Sequence, residues 1–237
     1  MAGRLAGKTA VVTGGNRGIG LAIAQALAAE GCGVAITGRD KSALDAAMKS
    51  LKSPDAFAQV CDVRDPAAVK KFFADVSARF KQLDVLVNNA GVAHELAGVE
   101  SLSLDLWRSN IETNLTGLFL VTQAALPLMN AGASIVNNLS VAAREVFTRA
   151  SAYNTSKAGA LGFTNVLREE VRQRKIRVVA LIPGATDTDI WQQFWPDAPR
   201  DNMLSPLTVA EAVVHAVSLP PEAALDEIKI GPVLGRI

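Results

Sequence analysis

Tyrosine occurs once in this 237-residue chain, histidine twice and cysteine twice. Two cysteines, Cys32 and Cys61, cannot build a disulfide framework, and both are expected to be structural thiols. With no Cys-x-x-Cys and only His94 and His215 beside them, no metal-ligand cluster is recognisable and no metal is expected. Charge of one sign is also scarce: 24 Lys+Arg against 23 Asp+Glu leave a formal +1. That balance excludes the broad basic footprint of a protein that works on nucleic acid or on a membrane surface, so any anion site must be local. No uninterrupted apolar run approaches the ~18 residues of a membrane span. The opening MAGRLAGKTAVVTGG shows no secretory leader pattern, so a soluble, cytoplasmic protein is expected. Linkers rich in Pro, Gly or Ser, internal repeats and low-complexity tracts are missing too, which points to one domain over 1–237.

What is present is apolar: 49% hydrophobic residues and 20% charged, enough for a sizeable core. Short aliphatic runs recur at 9–13, 33–37, 56–60, 84–88, 134–139 and 176–182 and read as buried strands. Helical spacing fills Ile19 to Glu30, Lys41 to Leu51, Pro66 to Phe80 and Ala152 to Lys175, with Asp65 and Ser151 as expected caps. Strands apolar on both faces and separated by helices imply a parallel sheet covered on both sides, an α/β doubly wound fold of three layers. Helices around 103–129 and 151–175 carry apolar residues beyond one stripe and need cover from more than one side. Irregular patterning marks 186–205 as an insertion, with Trp191, Phe194 and Trp195 as its apolar surface.

The segment Thr13-Gly14-Gly15-Asn16-Arg17-Gly18-Ile19-Gly20 follows the first strand and opens the first long helix. Glycines there let the backbone approach a pyrophosphate, and a helix N-terminus supplies free N–H groups and partial positive charge. Read alone, the alternative is a turn whose glycines are purely structural.

The TGxxxGxG spacing resembles the short-chain dehydrogenase/reductase family. Further matches follow in the family's order: Asn88-Asn89-Ala90-Gly91 after the fourth strand, Asn114 in a helix, Ser140 after the fifth strand, Tyr153-x-x-x-Lys157, and Pro183-Gly184 with Thr188 after the sixth. The resemblance runs from residue 9 to 188. It implies a Rossmann-like sheet and reduction of a carbonyl to a secondary alcohol, or the reverse, by hydride transfer. Tyr153 would be general acid/base, Ser140 would polarise the carbonyl, Lys157 would tune Tyr153 and bond the nicotinamide ribose, and Asn114 would hold a water linking Lys157 to solvent. Gly14, Asn16, Arg17, Gly18, Ile19 and Gly20, with Asn89, Ala90 and Gly91, would hold the dinucleotide. Pro183, Gly184, Thr186 and Thr188 would border its carboxamide end. Asp62, in Cys61-Asp62-Val63, resembles the adenine-contacting position; the alternative for Asp62 is an Asx turn.

At the end of the second strand an acidic residue favours a free ribose hydroxyl and an arginine a 2′-phosphate. Gly38-Arg39 stands there, with Asp40 expected as the N-cap of the next helix, and Arg17 adds a second base. NADP(H) is favoured, NAD(H) being the alternative; Arg39 could also be a solvated surface residue. Tyr153 and Lys157 lie one turn apart on a helix. A neighbouring ammonium is expected to lower the phenol's pKa, by about three units if Tyr153 is to exchange protons at neutral pH. The bland readings are a capping serine for Ser140 and an asparagine satisfying local backbone for Asn114.

The family commonly pairs the two long helices across a two-fold axis, so a homodimer or homotetramer is implied. Expected pocket walls are Val92 to Glu95, Ala142 to Phe147 and Trp191 to Trp195, which suit a ketone with a hydrophobic substituent; His94 is expected at the surface. The close IKIGPVLGRI departs from many 3-oxoacyl thioester reductases. The competing readings are a non-catalytic NADP(H) sensor or scaffold, and an epimerase or dehydratase, whose members usually carry longer C-terminal regions.

Overall fold

The computed structural model describes residues 3–53 and 55–235. The outermost two residues at each end of the expected domain, including the closing Arg236 and Ile237, lie outside them. Seven strands form one sheet: β1 (Thr9–Thr13), β2 (Gly33–Gly38), β3 (Phe57–Val60), β4 (Val85–Asn88), β5 (Ser134–Asn138), β6 (Arg177–Pro183) and β7 (Glu227–Ile230). Their order is β3-β2-β1-β4-β5-β6-β7, with every pairing parallel. The chain walks outward from β1 to β3, then returns to place β4 against the other side of β1. Crossovers on either side of that reversal run over opposite faces, so a crevice opens at the carboxyl ends of β1 and β4.

Strand alternation divides the core. Ala10 and Val12 of β1 face the layer holding Ile23 and Leu27 of α1 (Gly18–Ala29), Leu44 of α2 (Lys41–Ser50) and Val213 of the last helix. Val11 faces the layer of Phe72 from α3 (Pro66–Phe80), with Val121 and Leu167 from later helices. Each fully buried Val, Leu, Ile or Phe among these contributes about 1.5–3 kcal/mol.

Helix starts follow their caps. The Asp40 carboxylate accepts from the N–H groups of Ser42 and Ala43, and Asp65 accepts from Ala67 ahead of Pro66 at the first helical position. Ser151 departs from expectation. It is the first residue of α6 (Ser151–Val171), preceded by Ala150 with no side-chain cap, because the chain enters directly from a turn. That helix ends at Val171 rather than Lys175: a 3-10 turn follows, and Lys175 takes φ 55 to break it off.

The stretch expected as one helix over 103–129 is four pieces. These are α4 (Leu104–Ile111), a π-turn (Glu112–Thr116), α5 (Gly117–Ala125) and a 3-10 turn (Leu126–Leu128). The widened turn carries Asn114, whose amide is tied to Val92 in β4's exit loop, and Gly117 just after the turn packs against β3's exit loop. A Cβ at Gly117 would fall 2.7 Å from Val63 Cγ2. Two elements were absent from the sequence reading, β7 and the last helix, α8 (Pro206–Val217). The short α7 (Trp191–Phe194) lies inside 186–205, where Thr186 and Leu204 form an isolated parallel bridge. No helix among the described residues is long and apolar enough to cross a membrane.

Candidate active site

A cleft of about 700 Å³ runs along the carboxyl ends of the strands, from the glycine loop to α7. Its first end is built from backbone. Gly14 and Gly18 have φ of 62 and 53, the left-handed region that only glycine occupies cheaply. A Cβ on Gly20 would lie 2.3 Å from both Asn89 Nδ2 and Gly14 O, so no side chain fits where α1 begins. Arg17 is the N-cap residue of α1 without spending its side chain on the cap, leaving the helix's first N–H groups and its partial positive charge facing the cleft. The loop is held from below by Thr13 and Asn89. Thr13 Oγ1 accepts from the N–H groups of Asn89 (2.9 Å) and Ala90 (3.0 Å), and Asn89 Nδ2 donates to the carbonyls of Thr13 (2.9 Å) and Gly14 (3.2 Å).

Arg17 and Arg39 are exposed on the rim of this end and form no ion pair among the described residues. Asp40, beside them, is spent on capping α2, and those backbone N–H donors hold its carboxyl below the usual range. Asp62 is engaged as well. It accepts from the Arg64 N–H (3.0 Å) in an Asx turn, and the Arg64 guanidinium grips the carboxylate at 2.6 Å and keeps its pKa down. The alternative reading of Asp62 is therefore realised, although the residue still lines the cleft beside Val63. A glycine cradle no Cβ could share, a free helix N-terminus and two unpaired guanidiniums suit a dinucleotide carrying an extra phosphate.

Across the cleft, Pro183, Gly184, Thr186 and Thr188 form the facing wall, and a Cβ on Gly18 would come 3.2 Å from Thr188 Cγ2. Asn16, Ile19, Ala90 and Gly91 complete the lining near the loop.

At the middle of the cleft the chemical groups converge. Ser140 ends β5's exit; its Oγ accepts from the Ala142 N–H (3.1 Å) as the cap of a 3-10 turn, and the hydroxyl lies near enough to the Tyr153 phenol to lower its pKa. The capping reading is thus present in the same group that meets the phenol. Lys157 is 6% exposed; its Nζ donates to Asn138 O (3.0 Å) and lies 5.7 Å from the Tyr153 ring centre. Burial lowers the ammonium's pKa to about 8.

The expected lowering of the Tyr153 pKa is not what these surroundings produce. Desolvation raises it, and the Ser140 hydroxyl only partly offsets that. Burial of the phenol is the larger influence, and the Lys157 ammonium nearby is hydrogen-bonded to a backbone carbonyl. Asn114 is pinned. Its Oδ1 accepts from Val92 N (2.8 Å) and its Nδ2 donates to Val92 O (2.9 Å) and Ser156 Oγ (3.0 Å). The backbone it satisfies is distant in sequence, not local.

At the far end the wall is aromatic. Trp191 and Phe194 pack edge to face at 5.9 Å, and Phe194 lies 5.6 Å from Tyr153. Val92, Ala93, Ala142, Glu145 and Phe147 line the cleft as expected. His94, Glu95, Ala143, Arg144, Val146, Gln192 and Trp195 do not. Trp195 faces solvent, and His94, expected at the surface, is 2% exposed with Nδ1 2.6 Å from Glu95 O. Its Nδ1 is taken up by the adjacent backbone, and its Nε2 is buried without a partner among the described residues.

Several lining residues went unread in the sequence. Lys229, Gly231 and Pro232 come from β7 and its exit, and Lys229 pairs with Glu145 at 3.2 Å. Asn138 lines the centre, and its signal was visible: Asn137-Asn138 are two amides ending a strand of aliphatic residues, where asparagine is disfavoured.

Residues 8–199 match the short chain dehydrogenase family. Among relatives, D-threitol dehydrogenase of Mycolicibacterium smegmatis is 38% identical over 208 residues, 86% of this chain and 79% of that protein. An alcohol dehydrogenase of the archaeon Thermococcus sibiricus, complexed with 5-hydroxy-NADP, superposes with a TM-score of 0.86 at 28% identity, covering 97% of this chain and 98% of that one. A short chain dehydrogenase from Burkholderia cenocepacia in complex with NADP gives 0.83 at 34% identity, covering 96% and 97%. With four-fifths of its length inside the family match and a parallel sheet, glycine cradle and Ser-Tyr-Lys cluster in the corresponding order, the chain belongs to the short chain dehydrogenase family.

Proposed function

We propose that this protein is an NADP(H)-dependent oxidoreductase that interconverts a ketone and a secondary alcohol. One observation carries the reading: Ser140, Tyr153 and Lys157 meet in the middle of a cleft whose one end is shaped for a pyrophosphate and whose other end is a largely apolar pocket. NADP complexes of the Thermococcus and Burkholderia structures, with the unpaired Arg17 and Arg39 here, favour the phosphorylated dinucleotide.

Bound in the cleft, that cofactor supplies hydride exchange at its nicotinamide ring. The chain supplies the rest. Ser140 donates to the substrate oxygen where negative charge grows, Tyr153 passes its proton to that oxygen, and the half-buried pocket excludes competing water. Lys157 keeps two N–H groups beyond its bond to Asn138, which bind the ribose diol and set the field at Tyr153. Asn114 Oδ1 keeps a second lone pair beyond its bond from Val92 N, so it can hold the water that links Lys157 to solvent, with the π-turn, where carbonyls lose their regular partners, beside it.

The whole chain acts as one catalytic domain, with 186–205 covering the substrate. The aromatic wall takes a ketone bearing a hydrophobic substituent, in the manner of a broad carbonyl reductase or a 3-oxoacyl reductase. Exposed Trp107, Phe119 and Val166 on α4, α5 and α6 form a subunit interface of a homodimer or homotetramer, and the protein works in the cytoplasm.

The test is consumption of NADPH, followed by its absorbance, against ketones, β-ketoesters, quinones and cyclic imines, with NADP+ and polyols in reverse. Turnover on any class supports the reading. Tight NADPH binding with no turnover on any of them would make the protein a sensor.

A further inference from the structure

We propose that Asn138 is a cofactor-binding residue of this chain: its side-chain carbonyl accepts a hydroxyl of the ribose on the nicotinamide side, and its amide nitrogen fixes the direction in which that carbonyl points. The inference rests on the dinucleotide reading above and extends it to a residue that reading leaves without a task.

The two amides ending β5 are used differently. Asn137 has a partner at both polar atoms inside the core, its Nδ2 donating to Thr164 Oγ1 (2.9 Å) and its Oδ1 accepting from Asn88 Nδ2 (2.9 Å). Asn138 points to the opposite face, as alternation requires, and lines the cleft at 9% exposure. Its Nδ2 donates to Asn89 Oδ1 (2.8 Å), whereas its Oδ1, equally buried, has no partner.

The network leaves no freedom to turn that amide over. Asn89 Nδ2 faces two carbonyls, Thr13 O and Gly14 O, and must be the donor there, so Asn89 presents Oδ1 to Asn138. Asn138 must answer with Nδ2, and the group left over is an acceptor. A buried acceptor without a donor is costly and calls for one from outside the chain.

Position selects the donor. Along the cleft Asn138 stands between the glycine loop, which it reaches through Asn89, and the Ser140–Tyr153 pair, two residues on in its own strand exit. A molecule with its pyrophosphate at the loop and its reacting ring at Tyr153 has a sugar at this point. Lys157, bonded to the Asn138 main-chain carbonyl, brings an ammonium donor beside the amide acceptor. One donor and one acceptor side by side match the two hydroxyls of a vicinal diol, one accepting and the other donating.

Binding of three ligands to the wild type and to Asn138→Leu, measured by calorimetry, tests this. NADP+ and 2′-phospho-ADP-ribose both carry the second ribose, and 2′,5′-ADP ends before it. Loss of one hydrogen bond predicts about fivefold weaker binding of the first two to the variant, with 2′,5′-ADP unchanged within twofold. Equal weakening of all three would reduce Asn138 to a support for Asn89, and no weakening of any would leave it without a ligand; either overturns the proposal. If the leucine variant does not fold, Asn138→Ser, which also withdraws the carbonyl, carries the same expected ratio. Failure of the wild type to bind NADP+ at all would sink the dinucleotide reading itself, and this proposal with it.

Discussion

The two ends of the cleft are made by different means. At the phosphate end the geometry is written in backbone: positive φ at Gly14 and Gly18, a Gly20 that admits no Cβ, and a web of bonds from Thr13 and Asn89 beneath them. At the substrate end it is written in side chains. Trp191 and Phe194 stack loosely, Arg200 bridges to Asp187 at 2.6 Å, and Lys229 reaches Glu145 at 3.2 Å. A backbone cradle has few tolerated sequences, because its shape and its donors are the same atoms. A cover of side chains can be exchanged residue by residue, so substrate preference can drift while the cofactor site stays put.

Breaking the chemistry between the two ends should give the largest effect. Tyr153→Phe removes the proton donor without touching the cradle, so turnover should fall at least ~100-fold while NADPH affinity, read by fluorescence titration, stays unchanged. Near-normal turnover would remove Tyr153 from its role.

Next comes the charge at the phosphate rim. Arg39→Asp replaces a free guanidinium with a carboxylate beside Asp62, and the ratio of kcat/KM for NADPH over NADH should fall by about tenfold or more, the scale of a lost charge-assisted contact. An unchanged ratio would mean that Arg39 is merely solvated.

Lys157 sharpens the contrast in stability rather than rate. Its folded pKa of about 8 lies below the ordinary 10.5, so below pH 8 the folded protein carries a buried charge at full cost. Between about 8 and 10.5 the unfolded chain binds the proton and the folded one does not, so stability rises with pH through that window. Lys157→Met should therefore abolish activity, stabilise the fold at pH 7 by on the order of 3 kcal/mol, seen as a higher Tm, and flatten the dependence of Tm on pH above 8. A lower Tm at pH 7 would show that the lysine's hydrogen bond outweighs its desolvation.

The smallest effect belongs to the cover. Arg200→Ala removes a partly exposed pair with Asp187 and a bond to Thr188 O, so stability should change by less than about 1 kcal/mol while substrate KM rises a few-fold. Calorimetric unfolding and steady-state kinetics measure the two; a loss of cofactor affinity would mean that the ends are coupled after all.

Much of this arrangement was readable before any coordinates. Six strands announce themselves because parallel strands are apolar on both faces, and Asp40 and Asp65 mark their helices through chemistry that is local to a few residues. The convergence of Ser140, Tyr153 and Lys157 was legible through the spacing of recognisable motifs. What escaped depends on partners far along the chain. β7 is Glu-Ile-Lys-Ile, a half-exposed edge strand with too little apolar content to stand out. α8 carried a readable start in Ser205-Pro206, but lay beyond the irregular stretch that drew attention. His94 is buried by a loop whose path no local pattern encodes. The direction of the Tyr153 shift depends on how deeply the phenol is buried, and that is decided by walls that come from several distant segments.

The π-turn between α4 and α5 has a consequence for insertions and deletions. A widened turn houses one residue more than the same length of α-helix. Deleting a single residue within Glu112–Thr116 would let the two helices fuse into one regular rod with α5 still in phase, so Val121 and Ala125 would keep the sheet they now cover. What moves is Asn114, and its bonds to Val92 would go. A second deletion would find no spare residue and would turn α5 by about 100° around the axis. The stretch therefore absorbs a gap of one by giving up the amide's bonds, and a gap of two only by disturbing the core.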